Sequence, residues 1–415
     1  MNHDRTGRID RRRFLQAGAA ATAGAASLTT SSPGQEAAAP NDTAVLPKRK
    51  LGKTGLEVTL LEQGAARRDT DRVLRFAFAR GIRLFDTAKV YRTEPSFKKW
   101  FAQDPAIRKQ IVLVTKDMPR KPSDMLRMVD QRLDTLGTDY IDVFFLHGLG
   151  DREYGGIDKS VAMLRSPEFR QVADRIRESG KAKFIGFSAH HPERAQLLQA
   201  AAETGVIDVI MLQYRPWLEK ESALNRAIDA AWNKGIGLIS MKQIANQAFG
   251  DKPRGNILEE VQQRVPALAE RKLSVFQGLL HAIWTDERIS AACVSMRNTE
   301  QIRENVDAAR RFEPLKTADI LNLRDEFRAH NPTLCADCDG RCSLAAGTKA
   351  ELGNLTRFLT YFTRYGDRVA ARREYAKLAA EARDWSGADL EAARAACPDR
   401  LDFARLLPQV DEYLA

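Results

Sequence analysis

Cysteine is scarce and odd in number, five in 415 residues, which excludes a fully paired disulfide framework. No charge-free apolar run is long and hydrophobic enough to supply the roughly 20 residues of a membrane-crossing helix, so no stable membrane anchor is expected. Basic blocks interleaved with aromatics are missing too. Lys plus Arg outnumber Asp plus Glu by 65 to 55, but beyond the N-terminus these charges are scattered beside matching acids, as in DRIRESGKAK. The formal charge of +10 therefore does not point to nucleic acid. Proline and glycine number only 16 and 26, which excludes a fibrous or disordered chain. What is present is 44% hydrophobic residues, enough to bury a sizeable core. The length allows two or three domains of roughly 150 residues, or one large domain with appendages.

The first fifty residues carry eight basic and four acidic side chains. Arg11, Arg12, Arg13, Phe14 and Leu15 precede a stretch of Ala, Gly and Thr that holds no charge from Ala17 to Gln35. Such a segment reads as a targeting peptide, with a disordered basic tail as the alternative. Paired arginines, one residue, then Phe-Leu resemble the twin-arginine export motif, which implies the export machinery as a partner and a periplasmic or otherwise extracytoplasmic location. No Cys follows closely, so a lipid anchor is not expected. We divide the chain into a signal peptide at 1–30, a Pro-containing linker at 31–47, one large domain at 48–320 and a helical extension at 321–415.

From Leu51 onward, short β-branched or aromatic runs alternate with segments of helical period. Strands are expected at 58–61, 82–85, 111–115, 141–146, 183–187, 209–212, 237–240 and 289–294. Eight such units in about 270 residues match the size of a (β/α)8 TIM barrel in the α/β class. A doubly wound sheet is the structural alternative, but no Gly-x-Gly-x-x-Gly turn follows the first strand. Asp86, Lys116 and His147 each directly follow a strand. Alone, each has an ordinary explanation as a helix cap, a loop lysine or a core histidine. Together they fall on the one rim of a barrel where catalytic groups collect.

The segments LFDTAKVY, LVTK and DYIDVFFLH resemble the aldo-keto reductase signature, and LGKTGLEV resembles the opening of that family. The resemblance spans roughly residues 48–312. It implies a catalytic tetrad of Asp86, Tyr91, Lys116 and His147. Tyr91 would protonate a carbonyl oxygen while hydride arrives from a reduced nicotinamide. A phenol has an ordinary pKa near 10, and a neighbouring Lys116 ammonium, held by Asp86, is expected to lower it. A neutral His147 would orient the carbonyl.

The same resemblance implies a cofactor site. Ser188 in GFSAHH and Gln213 in IMLQYRPW would hold the carboxamide, and Tyr214 would stack on the nicotinamide, with barrel packing as its alternative. VSMRNTEQIRENVDAA would place Ser295, Arg297, Gln301 and Asn305 against the adenosine phosphate, and Lys242 is a further phosphate candidate. A guanidinium fork suits phosphate, so Arg297 favours NADPH over NADH.

Cys335, Cys338 and Cys342 have the spacing C-x2-C-x3-C, and Cys397-Pro398 follows 55 residues later. Thiolates so spaced, with a remote Cys-Pro, resemble ferredoxin-type ligands, and some aldo-keto reductases bind a four-iron four-sulfur cluster in such a tail. A structural zinc, a disulfide or a vestigial site are the alternatives. Cys293 reads as a small core residue. The leading expectation is an exported, NADPH-dependent oxidoreductase acting on a small carbonyl or alcohol. Its rival is a nucleotide-occupied redox-sensing or electron-relay module with little turnover.

Overall fold

A computed structural model describes residues 46–65, 71–191, 193–243, 257–330, 335, 340–363 and 368–415. The export segment at 1–30, the linker up to residue 45 and Cys338 lie outside the described residues.

Eight parallel strands close into a barrel: β3 (Leu61–Gly64), β4 (Leu84–Asp86), β5 (Val112–Asp117), β6 (Ile141–His147), β7 (Ala182–Ala189), β8 (Val209–Gln213), β9 (Gly237–Met241) and β10 (Ile289–Val294), with β10 returning to β3. Helices such as Asp124–Leu136, Pro167–Glu178 and Ala223–Asn233 follow the strands and cover the outside. The runs are apolar because both faces of each strand are buried. Along a strand the side chains alternate between two cores. Leu84, Val114, Val143, Phe145, Val209, Met211 and Ile239 fill the barrel, whereas Phe85, Leu113, Phe144, Leu146, Ile210 and Leu212 face the helices.

The expected first strand at 58–61 is corrected. Its residues divide between a two-stranded antiparallel hairpin, β1 (Lys48–Lys50) with β2 (Glu57–Thr59), and the start of β3. Leu60 breaks the run by donating its N–H to the Pro47 carbonyl at 3.0 Å. Leu51 and Val58 of the hairpin join the barrel's inner cluster and plug its N-terminal end. Arg49 donates to the Ile289 carbonyl at 2.8 Å and the Asp286 carbonyl at 3.2 Å, tying the plug to the entrance of β10.

The extension forms the helices Leu352–Thr363, Arg368–Lys377, Leu390–Ala396 and Phe403–Leu414, with a separate core of Leu355, Leu359, Phe403, Leu407 and Val410. It is fastened to the barrel's C-terminal loops. Arg152 donates to the Lys377 carbonyl at 2.6 Å, and Arg341 pairs with Glu219 at 3.0 Å. Arg215, just past β8, donates to the Cys335 carbonyl and lies 3.6 Å from Asp399, which Arg328 also pairs at 2.5 Å. Among the described residues no helix is long and apolar enough to cross a membrane.

Candidate active site

Alternation decides which strand-end residues look inward. On β4, Leu84 and Asp86 share a face; on β5, Val112, Val114 and Lys116 do; on β6, Val143, Phe145 and His147 do. The three ionisable groups therefore converge at the C-terminal mouth. Lys116 Nζ donates to Asp86 Oδ1 and, at 3.2 Å, to the Thr87 carbonyl. Both partners of this pair are buried, whereas Tyr91 and His147 are partly open above them.

Tyr91 sits on a 3-10 turn, Lys89–Tyr91, after β4. Thr93 Oγ1 pins that turn by donating to the Ala65 carbonyl at 2.7 Å and by contacting Thr87 Oγ1 at 2.7 Å. Arg92, immediately after Tyr91, takes the left-handed conformation at φ 59°, which costs a non-glycine residue energy and is held by this surrounding network. The Tyr91 hydroxyl lies 3.4 Å from His147 Nε2, and Lys116 Nζ lies 5.5 Å from the phenol ring centre.

Burial and the Lys116 and Lys242 charges lower the His147 pKa to about 3, so the imidazole is neutral at physiological pH. Burial pulls Lys116 down, but Asp86 and Tyr91 outweigh it and keep the ammonium charged. The expected pull of Lys116 on the Tyr91 phenol is present but outweighed. Lys116 does pull it down, but burial prevails, with Asp86 adding to it, and the phenol stands at about 12. The Tyr91 phenol is therefore protonated at neutral pH.

The cofactor candidates divide. Ser188 is buried on the inward face of β7 and accepts the Gly148 N–H at 3.0 Å. Gln213 shares the inward face of β8 with Val209 and Met211, and its Oε1 is buried with no partner among the described residues. An orphaned amide oxygen at this rim fits the N–H of a carboxamide. Ser295 follows β10, beside Gly64, where an added Cβ would come within 2.7 Å of Ser295 Oγ. Arg297 is exposed just before the helix Thr299–Arg310, which carries Gln301 and Asn305 one turn apart on one side. Gln301 Oε1 accepts the Arg297 N–H at 2.8 Å and so shapes this entry. Lys242, exposed at φ 55°, follows β9.

The stacking role for Tyr214 is corrected. One residue beyond Gln213, alternation turns it outward, where its ring is buried with the helix-facing core and its hydroxyl donates to Asp286 Oδ2 at 2.7 Å.

The sequence profile of the aldo/keto reductase family matches residues 55–325, the span that holds these strand-end groups. The chain belongs to the aldo/keto reductase family. It is 26% identical over 320 residues to an L-glyceraldehyde 3-phosphate reductase of Escherichia coli O157:H7, covering 63% of this chain and 86% of that protein. It is 31% identical over 147 residues to an NADPH-dependent alpha-keto amide reductase of Saccharomyces cerevisiae, covering 34% and 44%. In fold it is similar to the holo form of an aldo-keto reductase from Bacillus halodurans, with TM-score 0.53 at 19% identity, over 68% of this chain and 96% of that one.

For this aldo-keto reductase, sequence reasoning missed a second polar layer at the mouth. Asp151 Oδ2 lies 3.3 Å from His190 Nε2, and Arg357 of the extension reaches the His190 carbonyl at 3.5 Å. Burial, with Lys242 and Arg357 nearby, holds His190 well below its ordinary pKa, so it faces Asp151 as a neutral imidazole. Burial also raises Asp151 to about 6, against Lys242 and Arg357. It missed Glu62 as well, which the misplaced end of the first strand left outside.

The expected four-cysteine site includes Cys338, which lies outside the described residues. Among the described residues no three His, Cys, Asp or Glu side chains converge to hold a metal ion. Cys342 and Cys397 are buried in the extension's core, and Cys335 packs on it beside Gly353. Burial pushes the Cys342 and Cys397 thiols up.

Proposed function

We propose that this aldo-keto reductase is an NADPH-dependent reductase of small carbonyl compounds, with Tyr91 as general acid. The observation that carries the reading is the Tyr91 hydroxyl 3.4 Å from a neutral His147 and above the buried Lys116–Asp86 pair. A carbonyl oxygen placed between Tyr91 and His147 accepts a hydrogen bond from each. A reduced nicotinamide, when bound, supplies the hydride to the carbonyl carbon. Tyr91 gives its proton to the oxygen as negative charge develops there: the phenol O–H bond breaks and the alcohol O–H bond forms. Lys116, fixed as an ammonium by Asp86, stabilises the tyrosinate left behind.

Gln213 Oε1 and Ser188 are the groups we assign to the carboxamide, and Arg297 to a 2′-phosphate. That the yeast relative is an NADPH-dependent reductase supports the choice of NADPH.

The test is NADPH oxidation by the purified full chain with a panel of aldehydes, wild type against Tyr91→Phe. General acids contribute about a hundredfold to ten-thousandfold, so kcat falls by at least about a hundredfold while NADPH binding, read by fluorescence, is kept. Equal rates in the two proteins would reject the assignment. No rate in either would favour a nucleotide-occupied module without turnover.

We also propose that residues Arg11 to Leu15 direct twin-arginine export of the folded protein. A fusion of residues 1–45 to a folded reporter is exported, and replacing Arg11 and Arg12 together by Lys abolishes export. Export of the double variant would refute it.

A further inference from the structure

Barrel interiors are ordinarily filled by branched aliphatic side chains, yet β3 places a carboxyl group there. Glu62 lies opposite Leu84 of β4 and Cys293 of β10, one inward position below Gly64 and therefore one layer below Asp86. It is fully buried, and neither oxygen has a hydrogen-bond partner among the described residues. The Cys293 thiol is its cross-strand neighbour on β10. Nothing in the tetrad's chemistry uses it.

The charges around this group limit its state. The groups that face it are Asp86 on β4, Lys116 on β5 and Cys293 on β10, with Tyr91 on the turn above β4. There is one ammonium for two carboxyls. If both ionised, the closed interior would carry a net negative charge with one carboxylate wholly unpaired, which a dry site resists strongly. One proton held between them leaves the interior neutral. Asp86 receives the direct hydrogen bond from Lys116, so Asp86 is the ionised member and Glu62 keeps the proton. Burial and the Asp86 charge both push Glu62 well above its ordinary pKa.

We propose that Glu62 is a buried protonated acid that sets the charge of the Asp86–Lys116–Tyr91 group, a positioning residue acting through Lys116. While it is neutral, the ammonium has a single counter-charge and its field reaches Tyr91. When it ionises at alkaline pH, a second negative charge appears beneath Lys116, and the Tyr91 proton is held more tightly. Proton donation then slows, which adds an alkaline limb to the rate. The inference rests on Tyr91 as the acid for its kinetic part only.

Two measurements on the full-chain protein test it. Infrared difference spectra across a pH titration show, at neutral pH, the carbonyl stretch of a protonated buried carboxylic acid. That band shifts on isotopic labelling of glutamate and is missing from both Glu62→Gln and Glu62→Leu. The Leu variant, matched in size and apolar like its surroundings, provides a folded protein if a buried amide does not. Separately, the alkaline limb of kcat in Glu62→Gln moves up by at least about one pH unit, a tenfold rate difference on that limb, while the KM for NADPH stays within about twofold. A band that survives in both variants, or an alkaline limb that does not move, overturns the proposal. The infrared experiment needs no turnover, so its outcome stands apart from failure of the reductase reading.

Discussion

His147 shows how a single residue couples the site to stability. Its imidazole is neutral because burial and two nearby ammonium groups disfavour the cation, and its pKa falls from an ordinary 6.5 to about 3. The folded state thus binds this proton more weakly than the unfolded chain. The stabilisation from a neutral His147 is fully present above pH 6.5 and is lost as pH falls through 6.5 towards 3. Urea unfolding of wild type should lose about 3 kcal/mol more than His147→Asn between pH 7 and pH 4. Parallel losses in the two proteins would remove this account. Tyr91 differs in kind, because its pKa near 12 is set by burial winning over Lys116.

At the scale of elements, the site depends on strands that approach more closely than side chains normally allow. An added Cβ at Gly186 of β7 would fall 2.0 Å from the Val209 carbonyl of β8 and 2.5 Å from the Phe145 ring on β6. Gly186 lies two residues before Ser188 on the same inward face, so β7 cannot keep its place if the position is filled. Gly186→Ala should cost about 3 kcal/mol or more, read as a lowered urea midpoint, and should weaken NADPH binding as Ser188 shifts. A midpoint within experimental error of wild type would refute the packing argument. Strand number, order and the three ionisable strand ends were legible in the sequence, because apolar runs and their last inward residues are local features. The ends of the first strand were not. The run Val58–Leu61 straddles the end of Glu57–Thr59 and the start of Leu61–Gly64, and the contact of Leu60 with Pro47 divides it into plug and barrel.

For the whole molecule, the extension is fastened by a charge network rather than by a shared apolar core. Arg215 and Asp399 are both almost fully buried, and Asp399 also takes Arg328. Asp399→Ala leaves the Arg215 cation buried without its counter-charge. It should cost about 3 kcal/mol and expose residues 368–415 to limited proteolysis while the barrel stays resistant. Simultaneous cleavage of both parts would contradict this. Sequence alone determined the class of fold and the family, and it singled out Asp86, Tyr91, Lys116 and His147, which lie together at the barrel mouth, because each belongs to a short motif at a strand end. Tertiary structure decided which way side chains face: Tyr214 turns outward to Asp286, and Glu62 turns inward beneath Asp86. It also decided that Cys342 and Cys397 pack in a helical core and that Arg357 reaches the mouth through His190. Facing and docking depend on register and on contacts such as Arg215 with Cys335, 120 residues apart, and local patterns carry no information at that range.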